Sequence, residues 1–535
     1  MLDLMRVLKA APKPPSGEPL IPLSTPWGER ILAGEKPRWS HPRPQFARES
    51  AASLNGWWDF SAGSDALDRW IRVPFSPEAA LSGIGEKTEP GVELWYRRPL
   101  PEVDLSGGRR AYLHFEAVDW ACEVWVNDVL VGEHKGAYLP FCFDVTDALA
   151  AAPGAASVVK VRVTDPGDTG TRLRGKQSST PGGIWYTAQS GIWRDVWLEV
   201  VPAVHLSGAH FSATLDGRVE IRVEASDPAA QVCARILDDG SEVARASGAV
   251  GEPLVAEVPS SRLWSPSDPH LYDVELTCGD DVVRSYFAFR TAEVRADDAG
   301  VMRFFLNGEP LFLRGVLDQG YWPDGLMTPP LPEALEFDIR AMKDAGFNLL
   351  RKHIKVEDGR FYELCDRLGM LVLQDVPSGG GAYSAWHTSR KPTLFRASWT
   401  AMRDTGERAH RALAADDAEY REEWLSTCDG MIELLRDHPC VVGWCLFNEG
   451  WGQFDAAAAC QRVWSSDPTR PVDATSGWYD QGAATSGAST TIFARWGPRK
   501  PRSRRAARIC SRSSAASHCR WRATPRARRA TDTGP

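Results

Sequence analysis

The chain has 535 residues, of which 43% are hydrophobic and 25% charged, a composition typical of a folded protein that is too long for a single core. Residues 495–535 carry 13 of the 62 Lys and Arg but one of the 70 acidic residues, so this end has a charge of +12 and the remainder −20. No stretch has the apolar length of a signal peptide or a membrane span, and we therefore expect a cytoplasmic protein without a membrane partner.

The tryptophan and cysteine contents give further information about the class of protein. The 22 Trp indicate either aromatic cores or aromatic platforms on which sugar rings stack. The 11 Cys form no C-x-x-C pair and no cluster with His at metal-ligand spacing. We therefore expect single buried thiols, and we predict no disulfide framework, no metal site and no cofactor.

The first part of the chain is predicted to be all β. After an N-terminal segment, residues 1–25, short alternating strands separated by turns predict a β-sandwich over residues 26–200. Its clearest strands are Trp95–Leu100, Arg110–Phe115 and Cys122–Val126. The same pattern continues over residues 201–292, where Val219–Glu224 and Tyr272–Leu276 are the clearest strands of a smaller, immunoglobulin-like sandwich.

From about Asp297 the pattern changes to strands that alternate with helices. The predicted strands are Phe312–Val316, Asn348–His353, Met370–Asp375, 441–447 and Pro471–Ala474, and the clearest helices are Glu333–Ala345, Gly359–Leu368 and Arg421–Asp437. Such alternation predicts a parallel sheet and a (β/α) barrel over residues 293–482. About five strands precede the change in composition, whereas a complete barrel needs eight.

Polar residues at the carboxyl ends of these strands are the candidates for chemistry, because the active site of such a barrel lies there. They are Asp318, His353, Asp375, Asn448 and Glu449. His353 can equally be a structural residue, and Asp375 can cap the next helix or pair with a nearby arginine. Glu449 follows an apolar run, and a carboxyl group in such surroundings has a raised pKa, which suits a proton donor near neutral pH.

Several motifs between about Pro26 and Gly482 are distinctive. They are Leu54–Phe60, His114–Trp120, Val124–Asn127, Gly191–Trp197, Asn348–His353, Phe361–Asp366 and Phe447–Gly450. In these motifs the chain resembles glycoside hydrolase family 2, the β-galactosidase and β-glucuronidase family. The first four resemble its sugar-binding jelly-roll domain, the next two its second barrel repeat, and the last its acid/base signature.

The resemblance implies a multidomain β-glycosidase: a jelly-roll β-sandwich, an immunoglobulin-like β-sandwich and a TIM barrel. It implies that Glu449 is the general acid/base and that Asn448 holds the 2-hydroxyl of the sugar. His353 would line the sugar subsite, and Trp444 and Trp451 would wall the pocket or pack beneath it. Their positions at strand ends add Asp375 and Asp318 as expected substrate-binding residues. The expected partner is a carbohydrate substrate and not a nucleic acid. Family members often form dimers or tetramers, so a homo-oligomer is also implied.

One part of the family pattern is missing. A retaining glycosidase needs a second carboxylate as nucleophile, expected on a later strand in a motif like S-E-F-G-G, but no glutamate follows Asp480. Shifting the reading frame from about Gly482–Ala484 allows back-translated codons to encode L-S-E-F-G-G across Cys510–Ala516. We therefore interpret residues 483–535 as an out-of-frame, disordered tail after an incomplete barrel, which predicts that activity is impaired.

Two alternatives stay open at this point. The basic tail could bind nucleic acid electrostatically, although few aromatic residues are interspersed in it. The chain could also be a non-catalytic carbohydrate-binding or defunct product, since one catalytic carboxylate is missing.

Overall fold

The computed structural model describes residues 23–35, 40–151 and 156–483. Most of the predicted N-terminal segment and the basic tail from residue 484 onward lie outside these ranges. Within them, no helix combines the length and the apolar character that crossing a bilayer requires.

The first domain is a sandwich of two antiparallel sheets. Its strands are β1 (Ala51–Ser53), β2 (Gly56–Ala62), β3 (Arg69–Val73), β4 (Glu93–Pro99), β5 (Arg110–Phe115), β6 (Val118–Asp119), β7 (Ala121–Val126), β8 (Val129–Lys135), β9 (Phe141–Asp144), β10 (Val158–Thr164), β11 (Gln177–Ser178), β12 (Tyr186–Thr187), β13 (Gly191–Ile192) and β14 (Val196–Val201). The larger sheet has the order β3-β2-β4-β10-β7-β8 and the smaller one β1-β14-β5-β9. Alternate residues such as Trp58, Phe60 and Tyr96 fill the space between them.

The second domain is a smaller sandwich, as predicted. Its strands are β15 (Leu206–Ala213), β16 (Arg218–Ala225), β17 (Gln231–Asp238), β18 (Ser241–Ala249), β19 (Leu254–Glu257), β20 (Tyr272–Cys278) and β21 (Asp281–Phe287). They form one sheet of order β15-β16-β19 and another of order β18-β17-β20-β21. A three-stranded connecting sheet follows, made of β22 (Ala292–Ala296), β23 (Met302–Leu306) and β24 (Glu309–Pro310).

A parallel sheet of five strands follows in chain order. Its strands are β25 (Gly315–Asp318), β26 (Leu349–Lys352), β27 (Leu371–Asp375), β28 (Val441–Asn448) and β29 (Val472–Ser476). The number and order of strands agree with the sequence prediction. Over the described residues the sheet does not close into a barrel.

Helices connect these strands and cover one face of the sheet. The α-helices of the described residues are α1 (Pro26–Leu32), α2 (Thr146–Ala150), α3 (Pro332–Asp344), α4 (Gly359–Leu368), α5 (Lys391–Leu394), α6 (Ser398–Ala401), α7 (Glu407–Ala412), α8 (Ala418–Leu435) and α9 (Ala456–Ser466), with a π-helical turn at Trp386–Arg390. Local sequence explains the bounds of α4: Asp358 accepts the N–H of Arg360 at its start, and Gly369 ends it with a φ of 71°.

The first barrel strand is displaced from its predicted position. We expected Phe312–Val316, but the strand is Gly315–Asp318, and Phe312 is 59% exposed. The amide of Asn348 explains the difference, because it donates to Phe312 O and accepts from the N–H of Arg314. Side-chain hydrogen bonds therefore satisfy the backbone here, and strand pairing begins only after them.

A buried carboxylate joins the second domain to the barrel. Asp366, at the end of α4, is fully buried and accepts hydrogen bonds from Tyr286 Oη at 2.8 Å, His438 Nδ1 at 2.6 Å and the N–H of Cys440 at 2.7 Å. Its backbone carbonyl accepts the indole N–H of Trp264 at 2.7 Å. Tyr286 and Trp264 belong to the second domain. Asp366 therefore fixes how that domain contacts the barrel.

Asp366→Ala is expected to destabilise the fold by about 3–5 kcal/mol, because it leaves several buried donors without an acceptor. Urea unfolding followed by tryptophan fluorescence measures the change. Glu363→Ala on the same helix is the matched control: its i,i+4 pair with Arg367 is partly solvated, so about 0.5 kcal/mol or less is expected. Equal losses for the two variants would contradict this account of the domain junction.

Candidate active site

A partly buried guanidinium joins the carboxyl ends of four neighbouring strands. Arg351 on β26 donates to Asp375 Oδ1 on β27 at 2.8 Å and to Ser476 Oγ on β29 at 2.8 Å. It also donates to Asn448 Oδ1 at 3.1 Å and to Cys445 Sγ at 3.4 Å, both on β28. Four of the five strands thus converge on one side chain, which defines the floor of a site at the edge predicted from the sequence.

Asp375 and His353 form the second contact of this floor. The Nδ1 atom of His353 lies 2.9 Å from Asp375 Oδ2. Burial acts to raise the pKa of Asp375, but Arg351 and His353 outweigh it and hold that pKa below its usual value. Burial lowers the pKa of His353. A neutral imidazole that donates from Nδ1 to the carboxylate leaves Nε2 as a hydrogen-bond acceptor for a ligand.

Glu449 lies directly after β28, on the rim of the same site. Its N–H donates to Ser476 O at 2.9 Å, and its backbone has a left-handed φ of 51°. Burial raises the pKa of its carboxyl group, while Lys176 and Arg351 act to lower it. Glu449 is therefore a carboxyl group with a raised pKa next to two cations, and Asp375 is one with a lowered pKa.

The glycines after Glu449 allow the chain to turn tightly over the site. A Cβ atom on Gly450 would lie 2.7 Å from the ring of Tyr479. A Cβ atom on Gly452 would lie 2.2 Å from Tyr420 Oη and 2.4 Å from Gly379 O. Both glycines also have positive φ angles, 73° and 62°, which disfavour any side chain.

The first domain contributes a lysine to the site. The N–H groups of Arg174 and Gly175 both donate to Ser378 O in the barrel, at 3.0 and 2.9 Å. This contact directs the next residue, Lys176, towards Glu449, and Lys176 is only 7% exposed. Burial lowers the pKa of its ammonium group, and Glu449 partly restores it. Among the described residues, the ammonium group has neither a hydrogen bond nor an ion pair, so its donors are available to a ligand.

Three aromatic rings from three segments form one wall. Trp451 follows β28, Tyr383 lies in the loop after β27, and Trp185 comes from the first domain. Their ring centroids are 5.4 to 5.9 Å apart. Lys176 Nζ lies 5.6 Å from the Trp451 ring, and the guanidinium of Arg174 lies 4.7 Å from that of Tyr383. Aromatic faces beside polar groups are well suited to binding a sugar ring.

Asp318 does not belong to this group, which corrects the sequence prediction. It is the last residue of β25, but its carboxylate lies 2.9 Å from Lys352 Nζ and accepts the N–H of Gly320. Lys352 follows Arg351 on β26 and therefore points to the opposite face of the sheet. The alternation of side chains along the strands thus places Asp318 on the helix-covered face.

Trp444 also lies away from the site. Its fully buried indole donates to Asp467 Oδ2 at 2.9 Å, and the guanidinium of Arg470 lies 5.7 Å from its ring. Both partners belong to the connection between α9 and β29. Trp444 therefore packs behind the strand, which agrees with the second of the two positions predicted for it.

Several residues of the candidate active site are not predicted from the sequence. A signal existed for Arg351, because it lies two positions before His353 on the same strand and therefore points to the same face. No local signal existed for Lys176 and Trp185, since they come from the other domain. Asp375 pairs with Arg351, which agrees with one of the structural roles predicted for it.

Asp473 is a further carboxyl group in the barrel interior. It lies on β29 opposite Cys445, is almost fully buried, and its Oδ1 has no hydrogen-bond partner among the described residues. Burial raises its pKa to about 7, with Asp375 acting in the same direction and Arg351 against it.

Three family models match consecutive parts of the chain. The model for the sugar binding domain of glycosyl hydrolases family 2 matches residues 86–202, a further family 2 model matches residues 204–290, and the family 2 TIM barrel domain matches residues 300–513. Together these matches cover well over half of the chain.

Similar curated proteins include β-galactosidases and putative β-glucuronidases. A β-galactosidase of Thermoanaerobacter pseudethanolicus is 28% identical over 309 residues, which cover 53% of this chain and 39% of that protein. A putative β-glucuronidase of Formosa agariphila is 26% identical, covering 66% and 31%. A β-galactosidase of Vibrio cholerae is 24% identical, covering 82% and 44%. The chain thus spans less than half the length of these relatives.

Solved structures show the same fold. A β-D-glucuronidase from Dictyoglomus thermophilum has a TM-score of 0.62 at 20% identity, with 80% of this chain and 72% of that chain covered. A β-glucuronidase from Faecalibacterium prausnitzii has a TM-score of 0.60 at 24% identity, with 80% and 74% covered.

The two interior aspartates are expected to affect stability with opposite pH dependence. Because the folded pKa of Asp473 is raised to about 7, its stabilising contribution is complete below its unfolded value of 3.8 and is lost as the pH rises to about 7. Asp473→Asn should therefore gain roughly 3 kcal/mol of unfolding free energy relative to the parent chain between pH 4 and pH 7. Urea unfolding at a series of pH values measures this.

Asp375→Asn is the matched variant of opposite sign. The folded pKa of Asp375 is lowered, so its contribution is present above the unfolded value of 3.8 and is lost as the pH falls through the folded value. Relative to the parent chain, this variant should lose stability as the pH rises from about 3 to 5. A difference curve with the same slope for both variants would contradict the assigned environments.

Proposed function

From its membership of glycosyl hydrolases family 2, to which the chain belongs, we propose that this site is built to hydrolyse terminal β-linked glycosides. The curated relatives are β-galactosidases and putative β-glucuronidases, and these names supply the substrate class of the proposal. Galactose, glucuronic acid and mannose are the sugars that we consider.

The position and environment of Glu449 carry the proposal. A general acid for glycoside cleavage must be protonated near neutral pH and must give up its proton to the leaving oxygen. Burial raises the pKa of Glu449, which favours the protonated state, while Lys176 and Arg351 stabilise the carboxylate that remains after transfer. We therefore assign Glu449 as the acid/base.

The surrounding residues would bind and orient the sugar. The amide oxygen of Asn448 accepts a hydrogen bond from Arg351. The amide N–H groups would therefore be the part of Asn448 that donates to the 2-hydroxyl of the sugar. His353, oriented by Asp375, would accept a hydrogen bond from a sugar hydroxyl at Nε2. Lys176 would donate to an oxygen of the substrate, and Trp451 would provide an apolar face for the ring.

We propose that the nucleophile is the part of the mechanism that this chain lacks. With retention of configuration, a second carboxylate about 5–5.5 Å from the acid/base attacks the anomeric carbon, and no glutamate follows Asp480. We propose that the barrel is incomplete in this 535-residue chain because residues 483–535 are out of frame. Sequencing the gene across this region tests that proposal: an unbroken frame, with no catalytic end encoded in another frame, would refute it.

The missing glutamate also favours a second candidate function. A chain that keeps the sugar-binding residues without a nucleophile would bind carbohydrate and not cleave it. The presence of Glu449, Asn448 and His353 in one site is compatible with either outcome, so measured turnover decides between them.

The 535-residue chain is expected to hydrolyse aryl β-galactosides, β-glucuronides and β-mannosides negligibly, because we infer that it lacks the carboxylate that would form the glycosyl-enzyme. A version with the frame restored is expected to hydrolyse at least one of them with retention of configuration. Release of the aryl group and NMR of the first-formed anomer measure rate and stereochemistry.

Glu449→Gln in the frame-restored protein is the critical variant. It should lower kcat for substrates with poor leaving groups by about 10²–10⁴-fold and remove from the pH profile the alkaline limb, where activity falls as Glu449 loses its proton. Turnover by the parent chain that Glu449→Gln abolishes would mean that another carboxylate acts as the nucleophile. An unchanged rate in the variant would remove Glu449 from the mechanism.

A further inference from the structure

The outer face of the larger sheet in the first domain carries two exposed tryptophans. Trp57 on β2 is 53% exposed, and Trp70 on the edge strand β3 is 72% exposed. In the strand register Trp57 lies opposite Arg72 and Asp59 lies opposite Trp70. The two rings are thus diagonal neighbours on one face, a spacing of about 7–8 Å that aromatic side chains can bridge.

A polar pair lies beside the two rings. Arg97 on β4 donates from Nε and Nη2 to Asp59 Oδ2 at 3.0 and 2.9 Å, and both side chains remain partly solvated. Together with the tryptophans, this pair lines a concavity of about 520 Å³, within the range of about 300–1,000 Å³ typical of small-ligand sites. The lining residues are Trp57, Trp58, Asp59, Trp70, Arg97 and Pro99.

The ring of Trp57 is packed against neighbouring residues, whereas the ring of Trp70 is exposed. The guanidinium of Arg72 lies 4.6 Å from the Trp57 ring, and a Cβ atom on Gly83 would lie 2.9 Å from that ring, so Trp57 packs against both. Trp70 has no ring or cation contact among the described residues. Farther along the sheet, Lys160 lies 4.9 Å from the ring of Trp95, so that indole already has a cation over it.

We propose that this concavity is a glycan-binding surface site, separate from the candidate active site. The apolar face of a pyranose ring stacks on an indole, and neighbouring hydroxyls can donate to a carboxylate and accept from a guanidinium at once. Asp59 and Arg97 offer both partners next to the two rings. Trp and Arg are enriched at protein interfaces but Asp is depleted there, so Asp59 is the residue that disfavours a protein partner. The occupant is therefore a neutral polysaccharide chain.

Affinity electrophoresis of the full chain tests the site. Native gels containing soluble galactomannan, xyloglucan or mixed-linkage β-glucan should retard the protein in at least one case. Trp70→Ala should weaken that binding about tenfold, because an exposed stacking surface is lost. Asp59→Asn, which keeps the shape and removes the charge, should weaken it several-fold. Trp386→Ala, which removes a half-exposed tryptophan of the barrel, is the matched control and should leave binding unchanged.

Three outcomes would overturn the proposal. The first is no retardation by any of the three polysaccharides. The second is retardation that Trp70→Ala and Asp59→Asn leave unchanged, both variants having the near-UV circular dichroism of the parent. The third is an unretarded parent chain that sediments as a dimer and becomes monomeric on Trp70→Ala, which would assign this face to a second copy of the chain.

Discussion

The contacts of Arg351 are the constraint on which the site depends. A partly buried guanidinium among strand ends is stabilised when its charge is neutralised and its N–H donors are satisfied, and leaving these groups unpaired costs free energy. Asp375 supplies the charge, and Ser476, Asn448 and Cys445 accept from the remaining nitrogens. This single side chain therefore fixes how the carboxyl ends of β26, β27, β28 and β29 are aligned with one another. That alignment also sets the position of Glu449 at the rim.

The carboxyl groups of Asp375 and Glu449 belong to the same site, but their pKa values are shifted in opposite directions. Asp375 is deeply buried but touches both Arg351 and His353, so attraction outweighs desolvation and its pKa falls. Glu449 makes no such direct contact within the described part of the chain, so desolvation prevails and its pKa rises in spite of Lys176 and Arg351. Direct contact with a cation, and not burial alone, separates a fixed charge from a group able to exchange a proton.

The site is also a product of domain contact. Lys176 and Trp185 come from the first sandwich, and the hydrogen bonds from Arg174 and Gly175 to Ser378 O set their approach to the barrel. Asp366 plays the corresponding role for the second sandwich, where it binds Tyr286. The barrel therefore has sandwich domains fixed to it on more than one side, and the completeness of the pocket depends on these junctions as well as on the strand ends.

The sequence by itself determined the domain order, the five parallel strands and the position of Glu449, Asn448, His353 and Asp375 at strand ends, because hydrophobic periodicity and strand-end polarity are local properties. Only the tertiary structure decided which face each residue occupies: Asp318 and Trp444 point to the helix side, since alternation along a strand reverses with one residue. It also decided that Lys176, distant in sequence, enters the site. Pairing across domains depends on packing geometry, and no local pattern encodes it.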